Sequence, residues 1–245
     1  MFDYSPSPTL LADRIILITG AGDGIGRAAA KSFAAYGATV ILLGRTTRKL
    51  EAVYDEIEQA GHPQPAIYPM NLEGASPNDY ESLANTLETE FGRLDGLLHN
   101  AALLGTLTPL EHYDVSTWYQ LMQVNLNAPF LLTKACLGLM KQAKEASIVF
   151  TSSNLGRKGK AYWGAYSVSK FGIEGMMQVL ADELEANTAI RVNSINPGAV
   201  RTRMWKEVYP GKEPETVQLP ETIMPLYLYL MGPDSREVNG QALAI

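Results

Sequence analysis

A chain of 245 residues, 46% hydrophobic and 19% charged, has the make-up of a globular protein with a sizeable core and the length of one α/β domain. The net charge of −6 argues against general affinity for nucleic acid or anionic membrane, which reward clustered cations. No apolar run approaches the roughly 20 residues that a membrane helix needs.

The N-terminal "MFDYSPSPTL" has neither the basic start nor the apolar core of a secretion signal, so a cytoplasmic protein is expected. The one cysteine, Cys136, excludes an intrachain disulfide framework and reads as a buried thiol within the helical "LLTKACLGLM". His62, His99 and His112 are scattered with no ligand-spaced partner, so no metal site is expected.

Short β-rich runs alternate with long helical patterns along the whole chain. "RIILITG" is an apolar run ending in glycine, and "TVILLGR" repeats that form. "PAIYPMN", "LDGLLHNA", "SIVFTSS" and "IRVNSINPG" follow, their aliphatic content without polar alternation suiting strands buried on both faces. Between the first runs lie "GIGRAAAKSFAAYG", stopped by Gly37, and "TTRKLEAVYDEIEQAG", stopped by Gly61. Six β–α alternations without a hairpin signal predict a single-domain α/β fold of Rossmann type, a doubly wound parallel sheet of about seven strands with helices on both faces. Such sheets bind ligands beyond the carboxyl ends of their strands.

After the first strand, "TGAGDGIGRAAA" fits G-x-x-x-G-x-G with Gly20, Gly24 and Gly26. Glycines there permit a tight turn, and the first helix turn aims free N–H groups at a pyrophosphate. After the second strand, "ILLGRTTRKL" has Gly44 where an NAD-binding fold places an acid, with Arg45 next and Thr46 and Arg48 within reach. A guanidinium matches a 2′-phosphate, so NADP(H) is preferred, with NAD(H) still possible. Thr46 or Thr47 also suits a helix cap. Asn71, closing the third strand, has a side-chain carbonyl able to hold an adenine amine. The small residues of "HNAA" after the fourth would let a cofactor pass close to backbone, and Asn125 is a polar residue in an apolar helix, where a buried amide usually bonds backbone. The fifth strand ends in "TSSNLG", the sixth in "NPGAVRT", and "YWGAYSVSKFG" sets Tyr166 and Lys170 four residues apart on one helix face.

In order and spacing, "TGAGDGIG", "HNAA", "TSS", "YSVSK" and "NPGAVRT" resemble the classical short-chain dehydrogenase/reductase family over nearly the whole chain. "LLGR" and "MPLYLYLMG" are similar to stretches of its poorly characterised bacterial oxidoreductases. The resemblance implies Tyr166 as general acid in carbonyl reduction and base in alcohol oxidation. Lys170 would hold the nicotinamide ribose and lower the phenol's pKa, Ser153 would polarise the substrate carbonyl, and Asn125 would support a proton-relaying water. The same likeness implies a cofactor bed of Gly20, Asp23, Gly24, Ile25 and Gly26, then Arg45, Thr46, Asn71 and Leu72. It continues through Asn100, Ala101 and Ala102 to Pro197, Gly198, Val200 and Thr202, joined by Tyr166 and Lys170.

Three positions depart from the family: Asn71 for the usual Asp, Ala102 for glycine, and Asp23 where NADP enzymes often carry a cation. "NGQALAI" also stops where the family continues with an aspartate–glycine end strand, so either the tail differs or the chain runs on. The substrate is expected to be a small carbonyl or alcohol under a lid within about 199–220, with Ser153, Trp163, Met204 and Trp205 against it and Tyr162 and Tyr209 nearby. Arg201 and Arg203 leave an acidic substrate open. The alternative reading is a non-catalytic NADP-binding regulator or scaffold. Apolar helices "FLLTKACLGLMKQA" and "GIEGMMQVLADELEA" point to a homodimer or homotetramer.

Overall fold

The structure, a computed structural model, describes residues 2–245. The first half runs β1 (Ile15–Thr19), α1 (Gly24–Ala35), β2 (Thr39–Gly44), α2 (Thr47–Gln59), β3 (Ala66–Pro69), α3 (Pro77–Phe91) and β4 (Gly96–His99). It continues with α4 (Val115–Met122), α5 (Ala128–Met140), β5 (Ala146–Thr151), α6 (Gly164–Glu185), β6 (Ile190–Asn196), α7 (Arg203–Val208), α8 (Met224–Met231) and β7 (Ala242–Ala244). The seven strands form one parallel sheet in the order β3-β2-β1-β4-β5-β6-β7. Its last strand is made by the "ALA" of the unusual C-terminal stretch.

Alternation along the strands divides the core in two. Ile16, Ile18, Val40 and Leu42 face a layer with α1, α2 and α8, whereas Ile15, Leu17, Ile41 and Leu43 face α3, α5 and α6. Both faces of β1 are therefore fully covered, which is why its sequence shows no polar alternation. Gly37 (φ +98°) and Gly61 (φ +72°) take the left-handed conformation just past α1 and α2, as the stop signals require.

β1 has β2 on one side and β4 on the other, so the sheet reverses its winding between β1 and β4. The loops after these two strands diverge to opposite faces and open a cleft beyond their carboxyl ends. α4 passes into α5 through a π-helical segment, Gln123–Asn127, a local widening often found at functional positions.

At the opposite rim Arg191, the second residue of β6, points into the end of α8. Its guanidinium donates to the carbonyls of Leu230, Gly232 and Ser235 and to Ser235 Oγ, taking up carbonyls that a helix terminus leaves unpaired. Arg14 and Arg236 share the Glu145 carboxylate nearby.

Candidate active site

The cleft has a volume of about 560 Å³ and runs from the end of β2, across β1, β4 and β5, to the segment after β6. Of the residues expected at the site, Gly20, Asp23, Gly24, Ile25, Arg45, Thr46, Asn71, Leu72 and Asn100 to Ala102 line it. So do Ser153, Trp163, Tyr166, Lys170, Pro197, Gly198, Val200, Thr202, Met204, Trp205 and Tyr209. Gly26, Asn125 and Tyr162 are not on its wall.

Gly26 acts from behind. A Cβ there would sit 2.2 Å from the Gly20 carbonyl oxygen and 2.6 Å from Asn100 Nδ2, so only glycine lets α1 start this close to β1. Gly20 (φ +69°) and Gly24 (φ +50°) supply the turn. Thr19 ties this loop to the next, its hydroxyl accepting from the N–H groups of Asn100 (2.9 Å) and Ala101 (3.0 Å).

At the β2 end, Arg45 is exposed and, among the described residues, its guanidinium has no hydrogen bond or ion pair. Thr46 occupies the cap position of α2 without a side-chain cap bond, so the capping expected there is absent. Asn71 Oδ1 accepts from the Glu73 N–H (3.3 Å), which leaves it a second lone pair.

Asp23 accounts for its own departure from the family. It caps α1 by accepting from the Gly24 N–H (2.9 Å), and it pairs with Lys49 Nζ from α2. Burial would raise its carboxyl, but Lys49 and the Gly24 N–H hold it below the usual range. A cation thus lines the cleft along with Arg45 after all, contributed by α2 rather than by the glycine loop. Lys49 was missed in the sequence because only its helix register reveals where it points.

The catalytic candidates meet at the end of β5 and the start of α6. Lys170 is buried, its Nζ donating to the Thr151 carbonyl (2.7 Å) and lying 5.6 Å from the Tyr166 ring centroid. Burial draws its ammonium down to about 8, opposed by the Glu174 carboxylate. Burial pushes the Tyr166 phenol up to about 12, while a hydrogen bond with the Ser153 side chain pulls the other way.

The lowered phenol pKa that the resemblance implied is therefore not what the free protein shows: desolvation, invisible to spacing, raises it. Ser153 Oγ also accepts from the Leu155 N–H (3.2 Å), which fixes its place beside the phenol. Asn125, on the π segment, accepts from the Leu103 N–H (2.7 Å) and donates to the Leu103 carbonyl (2.9 Å) and to Ser169 Oγ (3.1 Å). Its amide thus bonds backbone, as buried amides usually do, and pins the loop after β4 to α6.

The last wall is the excursion 199–220. Thr202 caps α7 by accepting from the Trp205 N–H (3.1 Å), and its methyl closes on Gly24. Trp205 is buried with its ring 5.7 Å from that of Tyr209. Arg201 N–H donates to the Gln218 carbonyl (2.8 Å) and its Nε to that of Pro214 (2.8 Å), folding the excursion on itself. Arg203 faces Glu207, 3.5 Å away.

The residues present fit a dinucleotide: a glycine cradle that any Cβ would fill, first-turn N–H groups at Ile25 and Gly26 beyond the one that Asp23 takes, and an unpartnered guanidinium at the far end.

Fold and cleft together define a doubly wound α/β protein with a serine, a tyrosine and a lysine gathered beyond the end of β5, on one wall of the cleft that the topological switch opens. A family model described as short chain dehydrogenase matches residues 14–213, and the chain belongs to that family of oxidoreductases. It is 49% identical over 237 residues to the uncharacterized oxidoreductase YciK of Escherichia coli (strain K12), covering 97% of this chain and 93% of that protein. A solved structure from Pseudomonas syringae, assigned as a short chain dehydrogenase, is 59% identical with a TM-score of 0.98, covering 100% of this chain and 99% of the other. Another, from Shigella flexneri 2a and complexed with NADP, is 48% identical with a TM-score of 0.94, covering 97% and 99%.

Proposed function

We propose that this protein is an NADP(H)-dependent oxidoreductase that interconverts a ketone or aldehyde and the corresponding alcohol, acting in the cytoplasm as the sequence reading expects. The observation that carries the proposal is the joint placement of Ser153, Tyr166 and Lys170 on one wall of a cleft whose far end presents Arg45 and Lys49. The solved relative that holds NADP supports the same cofactor.

Bound NADPH supplies the hydride. Tyr166 Oη gives its proton to the carbonyl oxygen as the carbon is reduced, so C=O becomes CH–OH and the phenol is left as phenolate. A phenol kept up at about 12 is protonated throughout the neutral range, the form that reduction needs. Lys170, still largely charged at neutral pH, stabilises the phenolate as it forms and contributes to holding the cofactor's ribose. The Ser153 hydroxyl, which donates to Asn154 Oδ1 (3.1 Å) in the free protein, turns to donate to the same substrate oxygen. Asn125 holds the loop over this site through its bonds to Leu103 and Ser169.

Arg45 and Lys49 read the 2′-phosphate. Met204, Trp205 and Trp163 supply the apolar side of the substrate space. The exposed apolar residues of α4, α5 and α6, among them Tyr119, Phe130 and Phe171, form the face through which copies of the chain associate as a homodimer or homotetramer.

The test is Tyr166→Phe, assayed for carbonyl reduction with NADPH and for NADPH affinity by fluorescence titration. The expected result is unchanged affinity with turnover lowered by about 10²–10⁴-fold, the usual contribution of a positioned acid. Retained turnover would remove Tyr166 from the mechanism.

A further inference from the structure

Between Ser153 and Tyr166 the chain reads "NLGRKGKAYWGA", three cations and no acid within a protein of net charge −6. Arg157 has structural duties, donating to the Leu243 carbonyl (2.8 Å) and standing 3.7 Å from the Glu174 carboxylate. Lys158 and Lys160 have none: both are exposed, and among the described residues neither ammonium has a hydrogen bond or an ion pair. Unpaired lysines on open surface are ordinary, but Lys160 is not on open surface. It lines the catalytic cleft and also a second recess of about 400 Å³, floored by Asn154, Arg157, Lys158 and Asn196. Its Nζ lies 5.9 Å from the Trp163 ring centroid, and that ring stands 5.9 Å from the ring of Tyr166. One aromatic ring separates a free cation from the catalytic phenol.

The backbone that presents these lysines is held in place. Tyr162 adopts φ +72°, a conformation rare for a large side chain, and is kept there by its carbonyl accepting from the Thr108 N–H (3.1 Å). The Trp163 N–H donates to the Lys160 carbonyl (3.2 Å), and Ser167 Oγ to that of Leu155 (2.6 Å). The remaining cations near the cleft are otherwise engaged. Arg45 and Lys49 belong to the opposite, cofactor end. Arg201 and Arg203 face Glu215 and Glu207 at 4.0 and 3.5 Å and brace the excursion after β6.

We propose that the substrate carries an anionic group, a carboxylate or a phosphate, that seats on Lys160 with Lys158 behind it while its carbonyl meets Tyr166 and Ser153. The assignment rests on the oxidoreductase reading and specifies its substrate class. Two unneutralised ammoniums separated by one glycine attract such a group at long range and fix it on arrival. Trp163 then stands between the anion and the carbonyl.

The experiment compares 4-carboxybenzaldehyde, 4-formylphenyl phosphate and the neutral methyl 4-formylbenzoate, each with NADPH, for the native protein, Lys160→Ala, Lys160→Arg and the Lys158→Ala/Lys160→Ala pair. The native kcat/KM for at least one anionic aldehyde should exceed that for the ester by about tenfold or more at low salt, the size of one charge-assisted contact. Lys160→Ala should remove most of that ratio through KM, Lys160→Arg should keep it, and added salt should erode it. The two anionic aldehydes show whether carboxylate or phosphate is preferred.

Equal kcat/KM for anion and ester, or a ratio indifferent to Lys160, overturns the anion site while turnover of the ester leaves the oxidoreductase reading intact. If no aldehyde is reduced, calorimetric binding of the same aldehydes to NADPH-loaded protein decides. Binding lost in Lys160→Ala upholds the anion site and sinks the catalytic reading; no binding to the native protein overturns the site.

Discussion

Lys170 is a cation that the fold has made easy to discharge. Its buried ammonium titrates near 8 rather than near 10.5, so the charge beside Tyr166 is lost within an accessible pH range. Above about pH 8 the free protein loses that charge, and if Lys170 stabilises the phenolate as proposed, kcat/KM for reduction should fall through that value. Lys170→Arg, which stays charged, should shift or flatten this limb even where it slows the reaction. A native profile level to pH 10 would show that Lys170 does not titrate in the productive range. The stability sign is the opposite. The unfolded chain binds the Lys170 proton more tightly, so this group's contribution to stability rises with pH between about 8 and 10.5.

At the other end of the cleft, Arg45→Ala and Lys49→Ala should each weaken NADPH much more than NADH, by about 1.5–3 kcal/mol for a charge-assisted contact. Equal weakening of both cofactors by either substitution would mean that the residue does not read the 2′-phosphate. Asp23→Asn separates the two cations: it frees Lys49 and leaves Arg45 untouched. Of these three residues, Arg45 was legible because it follows a strand end directly. Lys49 was not, since its meaning depends on the rotation of α2 about its axis.

Among the elements, α8 depends on one side chain from another part of the chain. Arg191 is buried in β6, where desolvation draws its guanidinium down to about 10, yet it binds the last carbonyls of α8 and the turn beyond. Arg191→Met keeps the aliphatic length and leaves those carbonyls unpaired. It should cost about 2–4 kcal/mol in urea unfolding, with an unchanged m-value. A loss under 0.5 kcal/mol would mean that water replaces the guanidinium.

Strands β1, β2, β4, β5 and β6 were legible as apolar runs because burial on both faces leaves no room for polar alternation, whereas β3 and β7, at the sheet's two edges, are only partly covered and β7 had no counterpart among those runs. Arg191 sits in one of those runs, and its sequence gives no sign that the side chain escapes to the sheet's rim. The π-helical step around Asn125 was equally hidden, since its residues "QVNLN" carry no breaker and it exists only where α4 and α5 meet. The shift of the Tyr166 phenol belongs to the same class: spacing reports neighbours, whereas burial is a property of the assembled layers.

For the molecule as a whole, the outer surface of α4, α5 and α6 is unusual. Tyr119, Phe130, Val168, Phe171 and Val179 stand 43–68% exposed on helices whose inner residues already fill the core. If copies associate through this face as proposed, Phe171→Glu should give smaller species than the native protein in analytical ultracentrifugation while leaving the far-UV circular dichroism unchanged. A native protein that sediments as a monomer at micromolar concentration would show that this face has another use.

The segment between Ser153 and Trp163 is tied firmly to the helix that follows it: Arg157 reaches toward Glu174, Trp163 stands on Tyr166, Leu155 is buried, and a Cβ at Gly156 would lie 2.8 Å from the Lys170 carbonyl oxygen. Lys158 and Lys160 stand outside these ties. The frame is therefore fixed and its two lysines are interchangeable fittings. Substituting them alters the charge at the mouth of the cleft without disturbing the backbone beneath, so this scaffold can change what it admits one side chain at a time, in the laboratory as in descent.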